Sequence, residues 1–195
     1  KPDVYGGFKA IVDGLAEMCA DLSTPVVGGN VSLYNDSSTG PIPPTPTLAM
    51  VGSKSGYDAP PAALSGEGEL LVVGAAGDAL GGSELLAQQG GSDAFPDLPA
   101  NPGEVVETIA AVANAESTLA THDVSHGGLA VTLAELITTD AGADVTVDGV
   151  VSLFDETPGR VVVETTDADA VREAFDGVAP VASLGPATDD GVLSL

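Results

Sequence analysis

Cations are what this chain lacks most. Its 195 residues hold five Lys and Arg against 29 Asp and Glu, a net charge of −24. Nucleic acids and anionic membrane surfaces need a Lys/Arg footprint, so the charge excludes both as partners. Tryptophan is absent, and aromatics make up 4% of the chain. There is one cysteine, Cys19, which excludes an internal disulfide and is consistent with a reduced cytoplasm. It falls in a helical apolar pattern and reads as a small buried hydrophobe. No apolar run is long enough to cross a bilayer. The opening residues, KPDVYGGFKA, show no basic stretch followed by an apolar core, so no signal peptide is read. The chain starts without Met, in mid-pattern, and stops at VLSL. Both ends read as those of a piece of a longer polypeptide.

Hydrophobic residues, at 44%, are enough for a core and argue against the disorder that high charge alone would suggest. The length allows one large domain or two small ones. The acidic excess therefore reads as a halophilic protein, in which salt screens the self-repulsion that would loosen the compact state.

Periodicity predicts the elements. Phe8, Ile11, Val12, Leu15, Ala16, Met18, Cys19 and Leu22 fall at helical spacing and predict a helix over residues 5–22. A strand is expected at Pro25–Asn35, around Gly28-Gly29-Asn30, and a second at Thr47–Gly52, with an extended proline-rich loop between them. Gly56–Gly68 is turn-rich and holds the expected boundary. After it, strand and helix segments alternate. Strands are predicted at Glu69–Gly74, Thr118–Val124, Asp144–Val147, Arg160–Thr165, Val178–Leu184 and Gly191–Leu195. Helices are predicted at Ser83–Gln89, Gly103–Ala115, Gly128–Thr138 and Asp167–Phe175, the second with Val105, Val106, Ile109 and Val112 on one side. The fold class is mixed α/β, with α+β character in its sheets and no repeat.

Several constellations could carry chemistry. In Gly28-Gly29-Asn30-Val31-Ser32, strand alternation would put Asn30 and Ser32 on one face. Glycine permits close backbone approach, an Asn30 amide oxygen could ligate Mg²⁺, and Ser32 could hydrogen-bond a phosphate or hydroxyl. A β-bulge with a polar outer face is the structural alternative. Asp123-Val124-Ser125-His126-Gly127-Gly128 ends a strand and opens a helix, a geometry that offers backbone N–H groups to an anion. Asp123 could cap that helix, ligate a metal, or both; a plain capped turn is the alternative. His122 and His126 do not make an HExxH zinc pattern, because Asp123 stands where Glu is needed and Gly127 breaks the register. Ser83 and Glu84 follow Gly81-Gly82 and read first as a structural turn, with contact to an anion as the alternative. Arg160, one of two arginines, could meet a phosphate but is favoured to pair with a local carboxylate.

These motifs, taken together, carry a resemblance. PVVGGNVSLYN followed by PTP, then LGGSEL, HDVSHGGLAVTLAE and LFDETPGR, occur in order. They resemble the C-terminal portion of the phosphoribosylformylglycinamidine synthase family, in its small-type synthetase form. The DVS-x-GGLA segment is shared more widely, with the superfamily that includes aminoimidazole ribonucleotide synthetase. The resemblance covers essentially the whole chain and implies a partial N-type module over 1–55, a linker over 56–65 and a C-type module over 66–195. It implies an ATP-dependent carbon–nitrogen ligase of purine biosynthesis in the cytoplasm. ATP would activate the formamide oxygen of formylglycinamide ribonucleotide, and ammonia would displace the phosphate to give the amidine. The ammonia would come from a glutaminase subunit, with a small bridging subunit in the complex.

By position, the resemblance gives Gly29 to ATP, Asn30 to Mg²⁺ and Ser32 to the substrate. It places no catalytic group in this chain, because those of the family belong to its first half; the chain alone is expected to be inactive. Asp123 and the loops around it would sit at a second, pseudo-symmetric nucleotide position that is structural or vestigial in the family. His126 departs from the acidic residue more usual there. Two further readings stay open: a related superfamily member such as aminoimidazole ribonucleotide synthetase, and a non-catalytic interaction module whose exposed sheet edge pairs with the missing half or with a second copy as a homodimer.

Overall fold

The computed structural model describes residues 2–32, 36–42, 44–53, 56, 59 and 61–195. The chain divides into two compact units, Lys1–Gly56 and Tyr57–Leu195.

The first unit opens with helix α1 (Pro2–Asp21). Its C-terminus turns on Ser23, at φ 51°, where the amides of Leu22 and Thr24 reach back to the carbonyls of Met18 and Cys19. Pro25 then prevents the helix from resuming. A two-residue hairpin follows, β1 (Asp36–Ser37) against β2 (Gly40–Pro41). No described residue of this unit is buried. Cys19 is therefore half-buried, not the core residue its spacing suggested.

The strand expected at Pro25–Asn35 does not form over residues 25–32, and residues 33–35 lie outside the described residues. Thr47–Gly52 is likewise irregular. Val26, Val27, Val31, Leu48, Met50 and Val51 are all exposed. Their β-branched and apolar character suits a strand, but a strand needs a ladder partner. Among the described residues neither segment has one.

The second unit runs β3 (Glu69–Val73), α2 (Glu84–Gln89), α3 (Pro102–Ala113), β4 (Thr118–Asp123), α4 (Gly128–Leu136), β5 (Gly142–Asp144), α5 (Gly149–Phe154), β6 (Val161–Thr165), α6 (Ala168–Ala174), β7 (Val181–Thr188) and β8 (Leu193–Ser194). Its strands form one sheet in the order β4-β6-β3-β7-β5-β8, antiparallel throughout except for β5 with β8. Both faces are covered, which is why β3 and β6 read as nearly continuous apolar runs. The period of two sorts them. Leu70, Val72 and Val162 join Leu129, Leu133 and Leu136 of α4. Leu71, Val73, Val161 and Val163 join Val112 of α3 with Val171 and Phe175 on the other face.

Differences from the sequence reading are local. The β5 ladder spans Gly142–Asp144 instead of Asp144–Val147, yet Val145 and Thr146 still donate to the carbonyls of Ser194 and Leu184. Strand β7 runs on past Gly185 to Thr188, pairing first with β3 and then with β5. Val106 is exposed, while Val105 and Val112 carry the buried side of α3. Helix α5 lies where the sequence predicted no element.

One carboxylate pins the start of this unit. Glu164, 1% exposed on β6, accepts from the amides of Ser65 (2.7 Å), Gly66, Glu67 and Gly68 (each 3.1 Å) and from the Ser65 hydroxyl (2.8 Å). The approach is close: a Cβ on Gly68 would lie 2.7 Å from Glu164 Cγ. Successive backbone N–H groups folded around an anion form a nest. Here the anion is the chain's own.

Candidate functional site

Two places hold the residues singled out by the sequence, one in each unit. In the first unit, Gly28, Gly29, Asn30, Val31 and Ser32 are all exposed. Asn30 Nδ2 donates to Ser32 Oγ at 3.1 Å, so the two side chains do meet, though in irregular backbone and not on a strand face. That bond uses the donor end of the amide; a hard cation takes the oxygen end. A Cβ at Gly28 or Gly29 would meet nothing within 4 Å, and neither glycine adopts a positive φ. Among the described residues, nothing demands glycine at either position.

In the second unit three turns converge. Gly81-Gly82 leads into α2, where Ser83 is the N-cap and its Oγ accepts from the Leu86 amide at 3.3 Å. The turn reading of Ser83 therefore holds. Gly127, at φ 86°, is the N-cap of α4. Gly128 follows at φ 68°, and a Cβ there would lie 2.8 Å from the Leu153 carbonyl oxygen, so only glycine fits. The third turn is Asp155–Arg160.

Asp123 does not cap α4, because Gly127 takes that position and no side chain caps it. The Asp123 carboxylate accepts instead from the Ser125 hydroxyl, two residues away. Its carbonyl accepts from His122 Nδ1 (2.8 Å) and from Thr132 Oγ1 (3.0 Å), which ties the end of β4 to α4.

The N–H groups that the sequence offers to an anion at Gly127 are met from within. Glu156 Oε1 accepts from the Gly127 amide at 2.9 Å and from the Glu84 amide at 2.7 Å. His126 Nε2 lies 2.9 Å from Glu84 Oε2, while His122 Nε2 faces Glu135 at 3.4 Å. The two histidines thus take separate partners. The hydrogen bond to Glu84, its charge, and the charge of Glu156 raise the His126 pKa above 6.5. Hydrogen bonds from Gln88 and His126 lower that of Glu84 below 4.5.

Beside this cluster Arg160 pairs with Asp155, Nη1 to Oδ2 at 2.9 Å, both side chains almost wholly buried. This is the local carboxylate the sequence favoured. Burial lowers the Arg160 pKa, and the Asp155 charge opposes that shift. Asp155 also accepts from the amides of Gly77 (2.8 Å) and Thr157 (2.9 Å) and from the Thr157 hydroxyl. Sequence reasoning noticed DETPGR for its arginine and missed the two carboxylates that organise it. Among the described residues, no group of three or more His, Cys, Asp or Glu could hold a metal ion.

Residues 66–195 match the family model "AIR synthase related protein, C-terminal domain", and residues 1–53 match its N-terminal counterpart. The chain belongs to the AIR synthase related family. Its mixed α/β sheet, flanked by helices on both faces, is the fold expected from the sequence. The phosphoribosylformylglycinamidine synthase subunit PurL of Haloquadratum walsbyi is 70% identical over 195 residues, which is 100% of this chain and 27% of that relative. The chain therefore spans about a quarter of the relative it matches.

Two solved structures share the AIR synthase related fold. PurLQS from Thermotoga maritima has a TM-score of 0.53 at 16% identity, covering 69% of this chain and 24% of that one. T. maritima PurL complexed with FGAR has a TM-score of 0.53 at 19% identity, covering 67% and 25%. Among the described residues, no helix is long and apolar enough to cross a membrane.

Proposed function

We propose that the chain is part of a phosphoribosylformylglycinamidine synthase: the later part of the third module over 1–55, a linker over 56–65, and the fourth module over 66–195. The observation that carries this reading is 70% identity along the full chain to the H. walsbyi subunit. The reaction is the ATP-dependent amidation of formylglycinamide ribonucleotide in the cytoplasm, with ammonia supplied by a glutaminase subunit and a small bridging subunit in the assembly.

In this reading the Gly29–Ser32 run is one wall of the active site. Gly29 lets ATP approach the backbone, Asn30 gives one oxygen to Mg²⁺, and Ser32 contacts the substrate. One amide oxygen cannot hold Mg²⁺ alone, because the ion takes six donors in near-octahedral geometry. Bound there, the ion would neutralise phosphate charge; Asn30 would only orient it. No catalytic group is assigned to this chain, and it is inactive alone.

The test is a chimera. The matching segment of the H. walsbyi subunit is replaced by this chain, and amidine formation is measured with formylglycinamide ribonucleotide, ATP and ammonium chloride in high KCl. Retained activity supports the reading; a folded but inactive chimera refutes it. Amidine formation by the 195-residue chain alone would overturn the assignment of the catalytic groups to the remainder.

The exposed Val26, Val27, Val31, Met50 and Val51 favour a second reading, in which the isolated chain is an interaction module. Sizing in high KCl separates a homodimer paired through these segments from a monomer.

A further inference from the structure

We propose that residues 61–64 form a guard strap over the open edge of the sheet, and that the partner this strap excludes is the same edge of a second copy of the chain. The inference stands whether or not the chain serves a synthase. The six-stranded sheet ends in β4 on one side and β8 on the other. Strand β8 has two residues, too few to template a further strand. Strand β4 has six, and among the described residues its only ladder is with β6. Alternate N–H groups of an antiparallel edge strand point away from the sheet and offer a ready template to another chain. Thr121 holds one such position. Its amide donates outward, at 3.2 Å, to the carbonyl of Pro61.

The strap is fastened at its far end. Leu64 is buried in the core that holds Leu129, Leu133 and Leu136, and its amide donates to the Leu136 carbonyl at 2.9 Å. Pro61 has no N–H, so it accepts from β4 without offering a donor to a further strand. The edge it covers is self-complementary. Two β4 strands paired antiparallel and centred on Thr121 would exchange both Thr121 N–H···O=C bonds. That register sets Asp123 across from Leu119 and His122 across from Ala120. No two carboxylates are opposed, which matters in a chain of net charge −24. Such a pair uses the same surface on both copies and closes as a dimer.

The test loosens the strap and reads the edge. Leu64→Ala removes most of the anchor. The double variant Leu64→Ala/Thr121→Pro also removes the outward donor, and proline is tolerated at an edge position whose N–H leaves the sheet. Mass is followed by sizing in high KCl over an about hundredfold range of concentration, with hydrogen exchange of the Thr121 amide read alongside. The mass of Leu64→Ala should rise with concentration toward double the native value. At the dilute end its Thr121 amide should exchange at least about tenfold faster than in the native chain. The double variant should keep the native mass throughout. The native mass is the baseline, which separates this pairing from pairing through the exposed segments of the first unit. If Leu64→Ala does not fold, inserting Gly-Gly after Ala62 lengthens the strap and keeps Leu64 in the core, and the same readouts apply. The proposal is overturned if the loosened chain keeps the native mass at every concentration or grows past a dimer. It is also overturned if its Thr121 amide exchanges no faster than the native one, or if the double variant still associates.

Discussion

Replacing Glu164 tests whether a buried carboxylate, and not sheet burial alone, secures the start of the second unit. Five donors converge on it, four of them consecutive backbone amides at 2.7–3.1 Å. A hydrogen bond to a charged group contributes about 1.5–3 kcal/mol, but bonds sharing one acceptor do not add. The donors also differ in what they lose. Ser65 and Glu67 are exposed and their amides can return to water, whereas Gly68 is buried and its amide cannot. Two or three uncompensated bonds at partial value give an expected cost of about 3 kcal/mol for Glu164→Ala. At about 2–4 °C per kcal/mol for a unit of this size, the melting temperature falls by about 6–12 °C.

The assay is urea unfolding of the 195-residue chain at fixed high KCl, with hydrogen exchange at residues 65–68 as the local readout. Glu164→Gln keeps one acceptor oxygen and is expected to cost about half as much. A loss below about 1 kcal/mol for Glu164→Ala, with protection at 65–68 unchanged, would refute the reasoning. The loop would then be held by its neighbours and the carboxylate would be incidental.

Three other outcomes are expected. The His126 pKa is raised, so its contribution is full below 6.5 and is lost as pH rises through the higher folded value. Glu84 is lowered, so its share is present above 4.5 and is lost as pH falls through the folded value. An NMR titration should therefore place His126 above 6.5 in the native chain and return it toward that value in Glu84→Gln; no change in that variant would remove Glu84 as the cause. On the proposed function, Asn30→Ala in the active chimera raises the KM for Mg·ATP, and Ser32→Ala raises the KM for formylglycinamide ribonucleotide. Equal movement of both constants in both variants would contradict the two roles. Finally, the melting temperature should rise with KCl, because at about 1 M the Debye length shrinks to about 3 Å and like charges cease to repel across the surface; a flat or falling curve would count against a halophilic design.

What the sequence made legible follows from the range of the forces involved. Strands β3 and β6 could be read because both sheet faces are buried, so Leu70–Val73 and Val161–Thr165 needed no partner information to look like core. The starts of α2 and α4 could be read because glycine turns and caps are local chemistry. Glu164 could not, since its donors are nearly a hundred residues away and a lone Glu in a strand reads as a surface position. Glu156 was hidden for the same reason. The strands expected over residues 25–32 and at Thr47–Gly52 failed in the opposite direction: propensity is local, but pairing is not, and no ladder partner is present among the described residues.

The shortage of cations gives these observations one cause. Phosphate recognition ordinarily draws on lysine and arginine. Each described cationic side chain is already committed to a carboxylate of the same chain. Among the described residues singled out for recognition, what remains is neutral: backbone amides, the Asn30 amide and the Ser32 hydroxyl. Neutral donors can orient a polyanion, but they cannot offset its charge against a surface of −24. If the Gly29–Ser32 run touches ATP, the compensating charge does not come from Lys9, Arg160 or Arg172, and a divalent cation would supply part of it. The same economy governs the second unit, where amides that would suit an anion are satisfied by Glu164 and Glu156 in place of a ligand. A chain this acidic has carboxylates to spare, and it uses them as the anions of its own nests.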